Sequence, residues 1–231
     1  MNPDHSLALD LLTDVTALSQ TKCTRPILAK LAYATKDNFM GREANGYSAA
    51  ASDFALMTKT AALALCKVQN QLLEEHELSL LIYDSYRPKR AVLDFISWTN
   101  DAPKNQHELA MKQKHYPHIR KNQLFELGYL SADSQHCYGH TVDLVLIDKN
   151  QTEIPLGACF DFMDELSHLS AMPDQIGHDA FNNRQILSQA MQQQGFVPYQ
   201  FEFWHFNYKD REINHPIDLE ITADLKNINT N

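Results

Sequence analysis

The sequence predicts an α+β fold, a mostly antiparallel sheet flanked by helices, and three observations lead there. Over residues 49–76, Met57, Ala61, Leu65, Val68 and Leu72 recur at steps of four and three, which draws one apolar stripe along a helix. The short apolar runs 78–84 and 142–148 suit buried strands. Several strands then follow with one helix between them, an order that favours antiparallel pairing over repeated βαβ units.

The elements follow in order. The run LSLLIYD (78–84) is closed by Ser85-Tyr86-Arg87-Pro88, and Pro88 is placed to open the helix PKRAVLDFISWT. Arg87 is thereby delivered to a strand-to-helix junction. Residues 100–122 are polar and broken by Pro103 and Pro117, so an exposed excursion is expected, returning through a short helix, QLFELGYL. Its His107, His115 and His118 are expected in solvent. VDLVLID (142–148) is strand-like, with Asp148-Lys149-Asn150 as the turn of a hairpin candidate. Residues 179–194 read as an amphipathic helix closed by Gly195, and FVPYQFEFWHFNY as one aromatic-rich strand.

The bulk properties narrow the class of partner. The net charge of −9 argues against nucleic acid or an anionic membrane and leaves a small molecule as the expected ligand. No repeat, low-complexity tract or linker divides the chain, so residues 1–231 are expected to form a single domain. The start has no basic n-region, acids at Asp4, Asp10 and Asp14 interrupt any apolar segment, and no apolar run is long enough to span a bilayer. The four cysteines, Cys23, Cys66, Cys137 and Cys159, form no CxxC pair and read as reduced thiols. A cytoplasmic protein is the expectation; nothing bears on its oligomeric state.

The chemistry concentrates in SQHCYGHTVD, residues 134–143. His136 and Asp143 are seven apart across Gly139, and a turn into a strand could aim both at one point; on their own such a pair is more often a surface hydrogen bond than a metal site. The segment EFWHF adds Glu202 and His205 in apolar surroundings, where titratable groups are costly unless paired or metal-bound. On an ideal strand positions 202 and 205 point to opposite faces, so both serve one site only if the strand ends or bulges there. Otherwise His205 is a core histidine bonded to a carbonyl and Glu202 faces water.

Together, His136, Asp143 and His205 offer two imidazoles and a carboxylate, the ligand set of one catalytic zinc ion with a position left for water. Zinc lowers the pKa of such a water to about 7, and a carboxylate nearby can take its proton as it attacks a carbonyl, a role Glu202 fits. Arg87, always protonated, is the candidate for stabilising the oxyanion that forms; a structural salt bridge is its other reading. Cys137 beside His136 lacks any oxyanion-hole signature, and His140 is left to support the site or face substrate.

The motif SxHxxGxxxD at 134–143, ExWH at 202–205 and YRP at 86–88 together resemble the zinc D,D-peptidases, a superfamily whose fold is similar to the Hedgehog signalling domain. YATKDNF (33–39) and FDFMDE (160–165) narrow the resemblance to the D-alanyl-D-alanine dipeptidase branch of the VanX type. It covers most of the chain in order. The resemblance implies that His136, Asp143 and His205 hold zinc, that Glu202 is the base and that Arg87 stabilises the transition state. Tyr33 and Asp161 would bind the substrate's amino group, and Ser134 would hold the dipeptide. It further implies hydrolysis of D-Ala-D-Ala, in cell-wall turnover or glycopeptide resistance. A D,D-carboxypeptidase or endopeptidase on peptidoglycan stems, and a non-catalytic zinc protein of the same fold, are the other readings. Gln135, Tyr138, His140 and Thr141 depart from the small residues and arginine usual within the zinc motif, which puts substrate identity in question before hydrolysis.

Overall fold

In a computed structural model of the protein, residues 9–230 are described. Strand β1 (Leu12–Asp14) leads into helix α1 (Val15–Lys22), whose first turn is capped by the Asp14 carboxylate accepting from the N–H groups of Thr16 and Ala17. β2 (Leu28–Ala29), β3 (Leu56–Thr58) and α2 (Lys59–His76) follow. β4 (Ser79–Asp84) runs into α3 (Lys89–Asn100), and α4 (Gln106–His115) precedes β5 (Thr141–Ile147). The short α5 (Pro173–Ile176), then α6 (His178–Gln193), β6 (Phe196–Tyr199) and β7 (Glu202–Tyr208) complete the order. The class is α+β.

The main sheet has five strands in the order β2-β4-β5-β7-β6. β2 runs parallel to β4, whereas β4–β5, β5–β7 and β6–β7 are antiparallel. β5 lies in the middle and every one of its residues is buried, which explains the uninterrupted apolar character of VDLVLI. A separate antiparallel pair joins β1 to β3. No described helix is long and apolar enough to cross a membrane.

Several local expectations are corrected. The helix expected over residues 49–76 begins at Lys59; before it lie a single 3₁₀ turn at Ala49–Ala51 and β3. Met57 thus belongs to a strand, while Ala61, Leu65, Val68 and Leu72 keep the buried stripe. Pairing with β1, forty residues away in sequence, overrides the local period. The helix expected at QLFELGYL is a 3₁₀ turn, Lys121–Gln123, followed by non-helical turns.

Most of the excursion is exposed as expected, but it holds a helix and is anchored by a few buried residues. Glu108 of α4 is buried, accepts from Trp98 Nε1 of α3 at 2.9 Å and from the Lys104 N–H at 2.8 Å, and pairs with Lys121 Nζ at 3.1 Å. These bonds offset the cost of burying the carboxylate and fasten the segment to α3. His107 and His118 are exposed as expected, but His115 is buried.

The aromatic strand expected over 196–208 is two strands folded tightly at Gln200–Phe201, with a register shift at Pro198/Tyr199 and Glu202 paired to Tyr199. The turn of the other hairpin candidate is present, with Asp148 Oδ1 accepting from Asn150 N and Thr152 N, but its return is a single bridge, Ile147 to Glu153.

Candidate active site

The metal-ligand candidates are assembled by sheet register. Asp143 on β5 lies opposite His205 on β7, and on its other side opposite Asp84 on β4. His136 comes from the 3₁₀ turn Gln135–Tyr138, which ends at Gly139 with φ of 70°. A Cβ on that glycine would stand 2.8 Å from Leu12 Cδ2, so only glycine lets the chain swing here from the turn into β5. One nitrogen or oxygen of His136, Asp143 and His205 lies within 4.8 Å of each of the others.

The proton positions around them follow from their partners. His136 Nδ1 is 2.7 Å from the carbonyl oxygen of Ser85, which can only accept, so the proton sits on Nδ1 and Nε2 keeps its lone pair. That lone pair points to a spot shared with Asp143 Oδ2 at 3.2 Å and His205 Nδ1 at 3.3 Å. Asp143 Oδ1 is fully buried and has no hydrogen bond of acceptable geometry, although His205 Nδ1 is 3.0 Å away. Three electron-pair donors thus converge with one orphaned carboxylate oxygen, a donor set that fits a divalent cation, zinc above the harder ions. Burial alone would raise the Asp143 pKa, but the imidazoles of His136 and His205 more than offset it and hold the group ionised. Burial lowers the pKa of His205, with the charge of Asp143 opposing.

Glu202 stands at the first position of β7, its Oε2 3.5 Å from His205 Nδ1. The strand begins here beside a register shift, so the alternation of faces that would separate 202 from 205 is broken. Burial, then the charges of Asp143 and Asp161, push the Glu202 pKa well above its ordinary value, with Arg87 opposing.

Arg87 is buried at the end of β4. Its Nε lies 2.9 Å and a terminal nitrogen 2.8 Å from Asp84 Oδ2, with Asp143 Oδ2 at 3.6 Å. The guanidinium also lies 5.0 Å from the Tyr33 ring centroid and 5.2 Å from that of Phe95. Asp84 is a residue the sequence reading passed over. It is fully buried, also accepts from the Tyr47 hydroxyl at 2.7 Å, and is 3.6 Å from His136 Nδ1. A charge at the end of an apolar strand, three residues before Arg87, was the available signal.

Tyr33 and Asp161, 128 residues apart, meet: the Tyr33 hydroxyl donates to Asp161 Oδ2 at 3.0 Å, both side chains buried. Asp161 has φ of 58°, a conformation uncommon for a residue with a side chain, as the chain turns this carboxylate inward. Burial and then the charge of Asp143 raise its pKa well above the carboxylate range, with the Tyr33 hydroxyl and Arg87 opposing. All eight residues singled out from the sequence, Tyr33, Arg87, Ser134, His136, Asp143, Asp161, Glu202 and His205, line one cavity of about 210 Å³. Asn207 and Tyr199, which the sequence reading did not single out, line it too. His140 does not; it is buried, with Nδ1 unpartnered.

Residues 21–221 match the family described as D-Ala-D-Ala dipeptidase. The chain is 38% identical to a D-alanyl-D-alanine dipeptidase of Enterococcus faecalis over 77% of its length and 84% of the relative's. A D-alanyl-D-alanine dipeptidase of Streptomyces coelicolor is 36% identical over 80% of this chain and 86% of its own. The Escherichia coli relative of the same name is 30% identical over 84% and 86%. With a family match over most of its length and relatives this similar, the chain belongs to the D-Ala-D-Ala dipeptidase family, a family of metallopeptidases.

Proposed function

We propose that this protein is a zinc dipeptidase that hydrolyses D-Ala-D-Ala to two D-alanines, working as a single domain with one zinc held by His136, Asp143 and His205. The observation that carries the reading is the convergence of those three donors beside Glu202 in the same cavity as Arg87 and the Tyr33–Asp161 pair. When bound, zinc would polarise the scissile carbonyl and ease ionisation of water. The protein supplies the remainder. Glu202 accepts the proton of the attacking water and passes it to the leaving amine. Arg87 meets the negative charge that develops on the carbonyl oxygen, its orientation set in advance by Asp84, so no reorganisation is needed as the charge appears.

Asp161, steadied by Tyr33, binds the free ammonium, and Ser134 holds the dipeptide. A buried carboxylate at the end of a small cavity accepts a charged amine and rejects a peptide bond in its place, which restricts the enzyme to free dipeptides. The buried Tyr33–Asp161 pair favours this reading over action on peptidoglycan stems, and the presence of both a base and an oxyanion partner favours it over a non-catalytic zinc protein. The fold is then of the Hedgehog and D,D-peptidase kind, and the product is recovered alanine from cell-wall dipeptide or, in a suitable host, removal of a glycopeptide target.

The test is release of D-alanine by the zinc-loaded protein from D-Ala-D-Ala, beside L-Ala-L-Ala and an N-acetylated tripeptide ending in D-Ala-D-Ala. Cleavage of the free D,D-dipeptide alone supports the proposal. Cleavage of the blocked tripeptide instead moves the protein to the peptidoglycan peptidases.

A further inference from the structure

The cavity is short of positive charge for a ligand that carries a carboxylate. Its wall holds four carboxylates, Asp133, Asp143, Asp161 and Glu202, and a single guanidinium, Arg87, whose hydrogen bonds go to Asp84. A dipeptide still presents a carboxylate on the leaving-residue side of the scissile bond, so its recognition falls to neutral donors beside the metal-ligand cluster.

Most of the wall's hydroxyl groups are already engaged. Tyr33 donates to Asp161, Tyr199 donates to the Gly128 carbonyl at 2.9 Å, and the Tyr129 hydroxyl sits 2.9 Å from His168 Nε2. Ser131, on the exposed rim, takes the Asp133 N–H. Besides Ser134, which already has a role, and the hydroxyl of Ser131 on the exposed rim, the Gln135 amide and the Asn207 Nδ2 are left.

Asn207 is the more constrained of the two. It follows His205 by two residues on β7, with the β5 register unbroken between them: Asp143 opposite His205, Thr141 opposite Asn207. Its side chain therefore emerges on the same face as His205, about 7 Å further along the strand. That is the reach of one residue beyond a bond being cut at the metal-ligand cluster, where successive Cα atoms are about 3.8 Å apart and the carboxylate oxygens lie farther still. The buried Thr141 hydroxyl donates to Asn207 Oδ1 at 2.8 Å, which occupies the amide's acceptor and leaves its Nδ2 donors for the cavity. Asp161 and Tyr33 lie toward Arg87 and β4, so the two ends of a bound dipeptide find opposite sides of the cluster.

We infer that Asn207, its amide turned by Thr141, forms with Gln135 a neutral subsite that binds the carboxylate of the residue leaving from the scissile bond. The inference rests on the dipeptidase reading and adds a specificity-determining residue to it.

The test replaces Asn207 by Asp, which nearly preserves shape and sets a like charge against the ligand. On D-Ala-D-Ala, KM is expected to rise roughly 30-fold or more, with a smaller loss in kcat. On the C-terminal amide of the same dipeptide the rise in KM is expected to shrink at least tenfold. Thr141→Val, which frees the amide to rotate, should raise KM on the acid by an intermediate factor. Calorimetric binding of both ligands to the zinc-loaded Glu202→Gln protein, with and without Asn207→Asp, gives a readout independent of turnover; zinc content and melting temperature confirm that each variant is folded. Equal penalties on acid and amide, or a KM and affinity within threefold of the parent, overturn the inference. If the parent cleaves no D-Ala-D-Ala yet binds the acid in preference to the amide through Asn207, the activity assignment fails and the subsite stands.

Discussion

Arg87 donates from Nε to Asp84 Oδ2 over 2.9 Å while Tyr47 donates to the other oxygen of the same carboxylate over 2.7 Å. The Asp84 carboxylate therefore aims the guanidinium from behind, outside the cavity lining. Asp84→Asn removes the main countercharge of a buried Arg87, a loss of about 3–5 kcal/mol. For a chain of this size the expected fall in melting temperature is roughly 10 °C. Turnover should drop at least about tenfold as Arg87 loses its direction. Differential scanning calorimetry and steady-state kinetics on the zinc-loaded variant check both.

Glu202→Gln keeps the shape of the side chain and removes its basicity. Turnover should fall by a factor on the order of 10³ while zinc stoichiometry stays at one. A variant that turns over at the parental rate would assign the base elsewhere.

Under the proposed function, the pairing of Tyr33 with Asp161 limits the substrate to a free dipeptide. Asp161→Asn should raise KM for the free dipeptide roughly 100-fold, as the ammonium loses its charged partner. The ratio of N-acetylated to free dipeptide cleaved should move in favour of the acetylated form. Tyr33→Phe leaves the carboxylate and should give a smaller effect in the same direction.

His115 links pH to stability. Burial lowers its pKa from 6.5 to about 4, and its Nε2 has no partner, while Nδ1 lies 3.2 Å from the Asp161 carbonyl. Between pH 6.5 and 4 the unfolded imidazole takes up a proton and the folded one does not. The stability due to the neutral ring is whole above pH 6.5 and declines as pH falls toward 4, by about 3 kcal/mol in all. Urea unfolding at pH 7 and pH 4.5 should show a steeper acid loss for the parent than for His115→Phe.

A metal bound where His136, Asp143 and His205 converge should be tied to folding. Adding zinc to chelator-treated protein should raise the melting temperature by several degrees, since a ligand held by the folded state alone stabilises it by mass action. His205→Ala should abolish that rise. An unchanged melting temperature in the parent would remove the cluster as a metal site.

The α+β class, the strands 79–84 and 141–147 and the helices after Pro88 and before Gly195 were legible in the sequence, because apolar period and Pro or Gly punctuation report burial locally. The metal-ligand candidates were legible for a related reason: a titratable residue such as His205 inside an apolar run stands out wherever the chain takes it. Other features depended on residues far apart in sequence. Asp84 meets Arg87 and Asp143 only through the pairing of β4 with β5, and Asn207 meets Thr141 only through that of β5 with β7. Polar residues 100–122 read as solvated until Glu108 finds Trp98 and Lys121, and His115 is buried with them. Composition by itself determined which residues are costly to bury; the tertiary structure decided which partners offset that cost, because register and packing, not sequence spacing, set the distances between charges.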